Sequence, residues 1–190
     1  MRKNLPVTNN EYVLRPDQLI VSKTDTKGRI KLINDTFLEV SGFTSEELIG
    51  EPHNIVRHPD MPPEAFADMW ASLKAGNPWT GAVKNRCKNG DYYWVQATAT
   101  PLIEKGETVG YMSVRKALPQ ALKEPVSAGY KMFIDGKAGG KAISNGQIVR
   151  TSWIAKLARA SQSLRARLLQ QAAVLTLVFA ALGIMADLDV

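Results

Sequence analysis

The chain of 190 residues is poor in the side chains that most often carry chemistry, with one cysteine, Cys87, and two histidines, His53 and His58. A lone cysteine excludes an intrachain disulfide and a thiolate metal cluster, and it fits a reducing compartment. No apolar run follows the early basic residues Arg2 and Lys3, which argues against a secretory signal peptide. The chain has a net charge of +6, but the surplus is uneven. Residues 1–118 hold 15 Lys and Arg against 14 Asp and Glu, whereas residues 119–190 hold 9 against 4. The first 118 residues therefore lack the basic excess that nucleic-acid binding needs.

What is present is strongly patterned. Residues 19–21 read as a short strand, and Asp25-Thr26-Lys27-Gly28 as a hairpin turn, because glycine takes positive φ and aspartate bonds the turn backbone. Residues 29–33 alternate, which predicts Ile30 and Leu32 on one face of a second strand. Asn34 is the predicted N-cap of a short helix with Phe37, Leu38 and Ser41 inward and Gly42 at its end. Thr44, with Glu47 three residues on, is a capping box for another helical turn. Phe66, Met69, Trp70 and Leu73 fall at i, i+3, i+4 and i+7, one face of an amphipathic helix over 62–74, and are read as core. Lys88-Asn89-Gly90-Asp91 and Glu104-Lys105-Gly106-Glu107 are hairpin signals that cut 79–116 into three strands. This order predicts an α+β fold, an antiparallel sheet of about five strands with helices across one face.

The third strand and the segment before it carry the functional signal. Trp79, Gly81, Val83 and Asn85 share one side of the strand, and Thr80, Lys84, Arg86 and Lys88 the other. The charged set is expected to face water, so the first set faces the helices. That inner row aligns an aromatic ring, a glycine and a carboxamide. A buried amide needs partners, and a strand glycine often marks a close approach. Residues 51–63 (EPHNIVRHPDMPP) show neither helical nor strand periodicity and combine both histidines with Arg57, Asp60 and several prolines. They read as a stiffened binding wall. His58 and Asp60 stand at i, i+2 with no nucleophile placed by the sequence, so catalysis is not expected.

Asp25-Thr26-Lys27-Gly28-Arg29-Ile30, Asn34-Asp35-Thr36-Phe37, Ser41-Gly42-Phe43-Thr44, Glu47-Leu48-Ile49-Gly50 and Lys88-Asn89-Gly90-Asp91 resemble the PAS domain family. Within it, His53-Asn54-Ile55-Val56-Arg57-His58-Pro59-Asp60-Met61-Pro62 and Phe66-Ala67-Asp68-Met69-Trp70 resemble the flavin-binding PAS domain of bacterial aerotaxis receptors. The resemblance covers about residues 10–118 and continues more weakly beyond. It implies a PAS fold with a C-terminal helical tail, and a non-covalent FAD. Arg57, His58, Asp60 and Trp79 match positions implicated in flavin binding, and Asn85 and Asn34 match further pocket positions. It also implies redox or oxygen sensing for aerotaxis, through a chemotaxis transducer or another PAS protomer, with a homodimer expected.

Alternatives within the fold remain open. A haem-binding PAS sensor would use His53 or His58 as axial ligand, and a cofactor-free PAS domain would serve as an interaction module. A photoreceptor of the light-oxygen-voltage type needs a cysteine after the short helices, where this chain has none. The division expected is an N-terminal cap over 1–18, the sensor over 19–118, a linker over 119–152 with a helical turn over 128–135, and a tail over 153–190. In that tail Lys156, Arg159, Arg165 and Arg167 alternate with Ile154, Leu157, Leu164 and Leu168, a basic amphipathic helix suited to a membrane surface. The apolar run 172–186 would span roughly 22 Å as a helix, short of the ~30 Å hydrocarbon core. Membrane association through 153–186 is expected, with the sensor on the cytoplasmic side of the inner membrane.

Overall fold

A hairpin of β1 (Ile20–Thr24) and β2 (Ile30–Ile33) opens the sheet, closed by a turn in which Asp25 Oδ1 accepts from Lys27 N and Arg29 N, each at 2.9 Å. The computed structural model describes residues 3–151, and the tail expected over 153–190 lies outside them. Among the described residues no helix is long and apolar enough to cross a membrane. The register slips between Lys23 and Thr24, where Ser22 pairs with Ile33 but Thr24 pairs with Ile30. That irregularity breaks the strict alternation predicted for β2. Ile30 is fully buried and Ile33 packs on the core, while Leu32 is 45% exposed, contrary to the expectation that Ile30 and Leu32 share the inner face.

Helix α1 (Asp35–Ser41) is capped by Asn34, whose Oδ1 accepts from Phe37 N, and ends at Gly42 with φ 69°. Helix α2 (Ser45–Leu48) carries the complete Thr44–Glu47 capping box. A 3₁₀ turn, His53–Val56, leads into α3 (Pro63–Lys74), whose prolines sit where a missing N–H leaves no bond unmade. Strands β3 (Trp79–Arg86), β4 (Tyr92–Glu104) and β5 (Glu107–Ala117) complete an antiparallel sheet in the order β2-β1-β5-β4-β3. Ile20, Ile30, Phe37, Val40, Leu48, Val56 and Val95 join one buried cluster. The helices cross the inner face, as the sequence order predicts.

The outer face is covered as well. Residues 119–152, expected as a linker, contain α4 (Gln120–Ile134) and a hairpin of β6 (Lys141–Ser144) and β7 (Gln147–Arg150). Tyr130 of α4 stacks on Trp94 with ring centroids 6.5 Å apart, and its hydroxyl donates to Ala82 O at 2.8 Å. Arg86, expected in water, is buried. Its Nε donates to Pro6 O at 2.6 Å and its Nη2 to Leu5 O and Lys88 O. The N-terminal segment thus lies over that end of β3, and carbonyls supply the partners a buried guanidinium requires.

Candidate functional site

Between α3 and the inner face of the sheet lies a cavity of about 330 Å³, at the small end of the usual range for small-molecule sites. The amphipathic stripe of α3 forms one wall with Phe66, Met69, Trp70 and Leu73. These residues, read as core from their spacing, face the cavity. The sheet supplies Val83, Ala97 and Ala99 as a low apolar floor, with Trp79 beside them. Trp79 is positioned from two sides. Its Nε1 donates to Asp68 Oδ2 at 2.7 Å, and its ring lies over Gly81, where a Cβ would come within 2.4 Å of the indole. The strand glycine therefore makes room for a tryptophan.

The polar end of the cavity is built from three strands and the 3₁₀ turn. Arg115 of β5 is buried; its Nη1 donates to Ser22 Oγ at 3.1 Å and its Nη2 lies 2.8 Å from His53 Nε2. Burial, with the adjacent Arg115 charge, pushes the His53 imidazole down to about 3. His53 is thus neutral near pH 7, and its Nε2 accepts from the guanidinium. Burial also lowers Arg115 to about 10, which still leaves it charged. Arg57 is a second buried guanidinium on the cavity, lowered by burial to about 10. Its Nη2 donates to Met61 O at 2.7 Å, its Cζ stands 4.0 Å from the Phe66 ring centroid, and its Nε is buried without a hydrogen-bond partner.

Among the described residues, neither Arg57 nor Arg115 makes a salt bridge, and the charged residues lining the cavity are Lys27, Arg57 and Arg115. Among the described residues no carboxylate lines it. Asn85 faces the same space, 4% exposed, with a buried Nδ2 that has no hydrogen-bond partner. Uncompensated buried cations and an orphaned amide N–H are costly in an otherwise apolar cavity. A flat ligand bearing acceptors and negative charge would satisfy all of them.

The six residues singled out in the sequence divide into two groups. Arg57, Trp79 and Asn85 line the cavity, whereas His58, Asp60 and Asn34 do not. His58 packs its ring edge on Tyr92 at 5.9 Å, and its Nδ1 accepts from Asp60 N at 3.1 Å. Burial, and next the Lys84 charge, hold it well below the ordinary histidine range. Asp60 is raised by partial burial but held lower overall by Lys84, whose Nζ donates to its Oδ2 at 2.7 Å. This pair anchors the segment along β3, where His58 N donates to Lys84 O. The side chain of Asn34 is consumed by backbone: it accepts from Val21 N at 2.9 Å and donates to Leu19 O at 2.7 Å. Cys87 lies off the cavity, donates to Val40 O at 3.2 Å, and is pushed by burial up to about 12, so it stays a thiol.

Sequence reasoning missed Arg115 and Ser22. The signal was parity, since Tyr111, Ser113 and Arg115 fall on one side of β5 and Arg115 pairs across to the small Ala97.

A family model described as the PAS fold matches residues 30–115. The aerotaxis receptor of Escherichia coli (strain K12) is 46% identical over 179 residues, covering 94% of this chain and 34% of that protein. The nitrogen fixation regulatory protein of Klebsiella pneumoniae is 26% identical over 97 residues, 50% of this chain and 20% of that protein. The chain thus spans well under half the length of either relative. Among solved structures, a light-oxygen-voltage domain studied with a flavin analogue superposes with a TM-score of 0.51 at 20% identity, covering 60% of this chain and 85% of that one. The light-state domain of the blue-light photoreceptor Aureochrome1 gives 0.50 at 15% identity, covering 64% and 91%. At such identity these two speak for the fold alone.

Proposed function

The chain belongs to the PAS family through its domain at residues 30–115, and from that premise we propose that it is a redox or oxygen sensor whose inner cavity holds FAD. The observation that carries this reading is the charge of the cavity, whose charged lining residues, Lys27, Arg57 and Arg115, are all cations against largely apolar walls. When bound, a flavin supplies reversible electron uptake with a change of protonation on its ring system.

The chain's own residues would do the rest. Trp79, Val83 and Ala97 on one side and Met69 and Trp70 on the other line the cavity, and they would hold a flat ring between them and exclude water. Arg115 and Arg57 offer N–H donors and positive charge to negative oxygens or nitrogens of the ligand. The buried Nδ2 of Asn85, which lacks a partner in the protein, would donate to an acceptor of the ligand. A carboxamide presents a donor and an acceptor, so it can rotate to follow a change of protonation opposite it. Rotation at Asn85 acts on β3 and so on the sheet, a local hydrogen-bond change with a wider readout.

The haem alternative fits these residues less well. His58 does not line the cavity, and the Nε2 of His53 is occupied by Arg115 and Ser22. A light-driven thiol adduct has no cysteine at the cavity to use. The similarity to an aerotaxis receptor supports sensing for taxis, as a homodimer that signals through a transducer or another PAS protomer. The basic and apolar pattern of 153–186 supports attachment to the cytoplasmic side of the inner membrane.

The test is the visible spectrum of the purified full chain, followed by acid release and identification of any bound chromophore. A flavin band, with FAD released, is the expected result. A Soret band would favour the haem alternative, and a colourless chain that does not take up added FAD would favour the interaction module.

A further inference from the structure

Asp68 stands on α3 off the cavity-facing stripe, half-buried, and its side-chain hydrogen bonds all leave the helix. Its Oδ2 accepts from Trp79 Nε1 at 2.7 Å and from Gly146 N at 2.8 Å, and its Oδ1 accepts from Asn145 N at 2.9 Å. Asn145 and Gly146 form the tip of the β6–β7 hairpin, with φ of 50° and 73°. Two successive positive φ values are those of a type I′ turn, and they aim both amides at one carboxylate. The tip is also seated on β3. A Cβ on Gly146 would lie 2.0 Å from Thr80 O and 2.8 Å from Gly81 Cα. One carboxylate therefore ties a ring of the cavity wall to a hairpin from which the chain runs on into residues 151–190.

We propose that the β6–β7 hairpin is the output element of the cavity and that Asp68 is the positioning residue coupling it to Trp79. The hairpin amides hold the Asp68 carboxylate in place, and the carboxylate fixes the plane of the indole. A docked hairpin thus preorganises the cavity wall, and ligand affinity rises because that ordering is already done. Thermodynamic linkage makes the effect reciprocal, so a ligand packed on Trp79 holds the hairpin down by the same factor. A change at the cavity that turns the indole releases two amides at once and loosens the hairpin. This inference rests on the flavin reading for the identity of the ligand, but the Trp79–Asp68–hairpin link does not depend on it.

The experiment is hydrogen exchange by mass spectrometry on the full chain, reading peptides within 141–150, with FAD as the probe ligand. In the ligand-free chain, D68N and W79F should each speed exchange at 141–150 by 3-fold or more, as in a hairpin that has lost its bolt. With FAD bound, exchange in the wild type should slow about 5-fold. G146V leaves Asp68 and Trp79 intact but cannot seat, and it should weaken FAD binding by a similar factor. If FAD binds with no change at 141–150, or G146V frees the hairpin and leaves FAD affinity unaltered, the proposal is overturned. If FAD does not bind, the flavin reading fails by itself, and unchanged exchange in both D68N and W79F would then refute the coupling. Circular dichroism of each variant separates a loosened hairpin from a failed fold.

Discussion

The two faces of the sheet are finished differently. On the outer face Arg86 donates to three carbonyls, Lys84 donates to Asp60, and Trp94 is covered by the stacked Tyr130. On the inner face Arg57 and Asn85 keep buried N–H groups without partners, and Arg115 has only neutral ones. Both faces bury arginine against neutral acceptors, but of Arg57, Arg86 and Arg115 only Arg57 keeps a buried N–H without one. A protein tolerates such a deficit where something else completes it. Of the four such buried atoms among the described residues, those of Arg57 and Asn85 lie on the walls of one cavity, and the others are His58 Nε2 and Tyr93 Oη. The outer face is covered by α4 and the N-terminal segment, whereas the inner face keeps a cavity with cationic walls.

The sharpest way to break this comparison is to open the outer face. Trp94→Ala removes the ring that Tyr130 covers and should cost about 3–5 kcal/mol in chemical denaturation, while ligand stoichiometry of the folded fraction is kept. On the inner face the signs should separate. Arg115→Met replaces a buried, unpaired cation by an apolar chain of similar length. The ligand-free protein should keep or gain stability by about 1 kcal/mol, yet lose FAD affinity at least tenfold in a fluorescence titration. Equal losses in both measurements would place Arg115 with the outer-face arginine.

The histidines sharpen the comparison through pH. Both have folded values depressed below their unfolded ones, His53 to about 3. The unfolded state then binds more protons below about pH 6.5, so stability is full above that pH and is lost as pH falls toward the folded values. Denaturation midpoints should therefore drop between pH 7 and 5, and His53→Asn should remove a large part of that slope. The smallest effect belongs to a site on neither face. Thr44→Ala breaks the capping box and should cost about 1 kcal/mol with no change in ligand affinity.

Local chemistry was the part legible in the sequence. The Asp25–Gly28 turn, the Asn34 cap, the Thr44–Glu47 box and the α3 stripe depend on residues within a few positions of one another, and each stands where its pattern placed it. Features set by distant partners were not legible. The slip beside Thr24 turned Leu32 outward, and nothing inside β2 announces it. Helix α4 continues through Pro125 at the loss of one bond, because Trp94 and Ala82 give Tyr130 a place to dock. For the site, the parity of β3 brought Trp79 and Asn85 to the cavity, but the same stripe that marks α3 as amphipathic cannot say whether it meets a sheet or a hollow. His58 and Asp60 belong to the motif that carries the resemblance, and they fasten that motif to the sheet outside the cavity, Asp60 on Lys84 of β3 and the His58 ring on Tyr92 of β4.

The most direct test of an inner face left incomplete for an anionic flat ligand is the thermal midpoint of the full chain with and without FAD. Ligand that binds only the folded state raises the midpoint as its concentration exceeds the dissociation constant. The wild type should rise by several degrees at about 100 times that constant, as for roughly 2.7 kcal/mol of linkage. Arg115→Met, with affinity at least tenfold weaker, should rise by about half as much or less at the same concentration. A folded wild-type chain whose midpoint FAD leaves unmoved, or an equal rise in both proteins, would contradict the account.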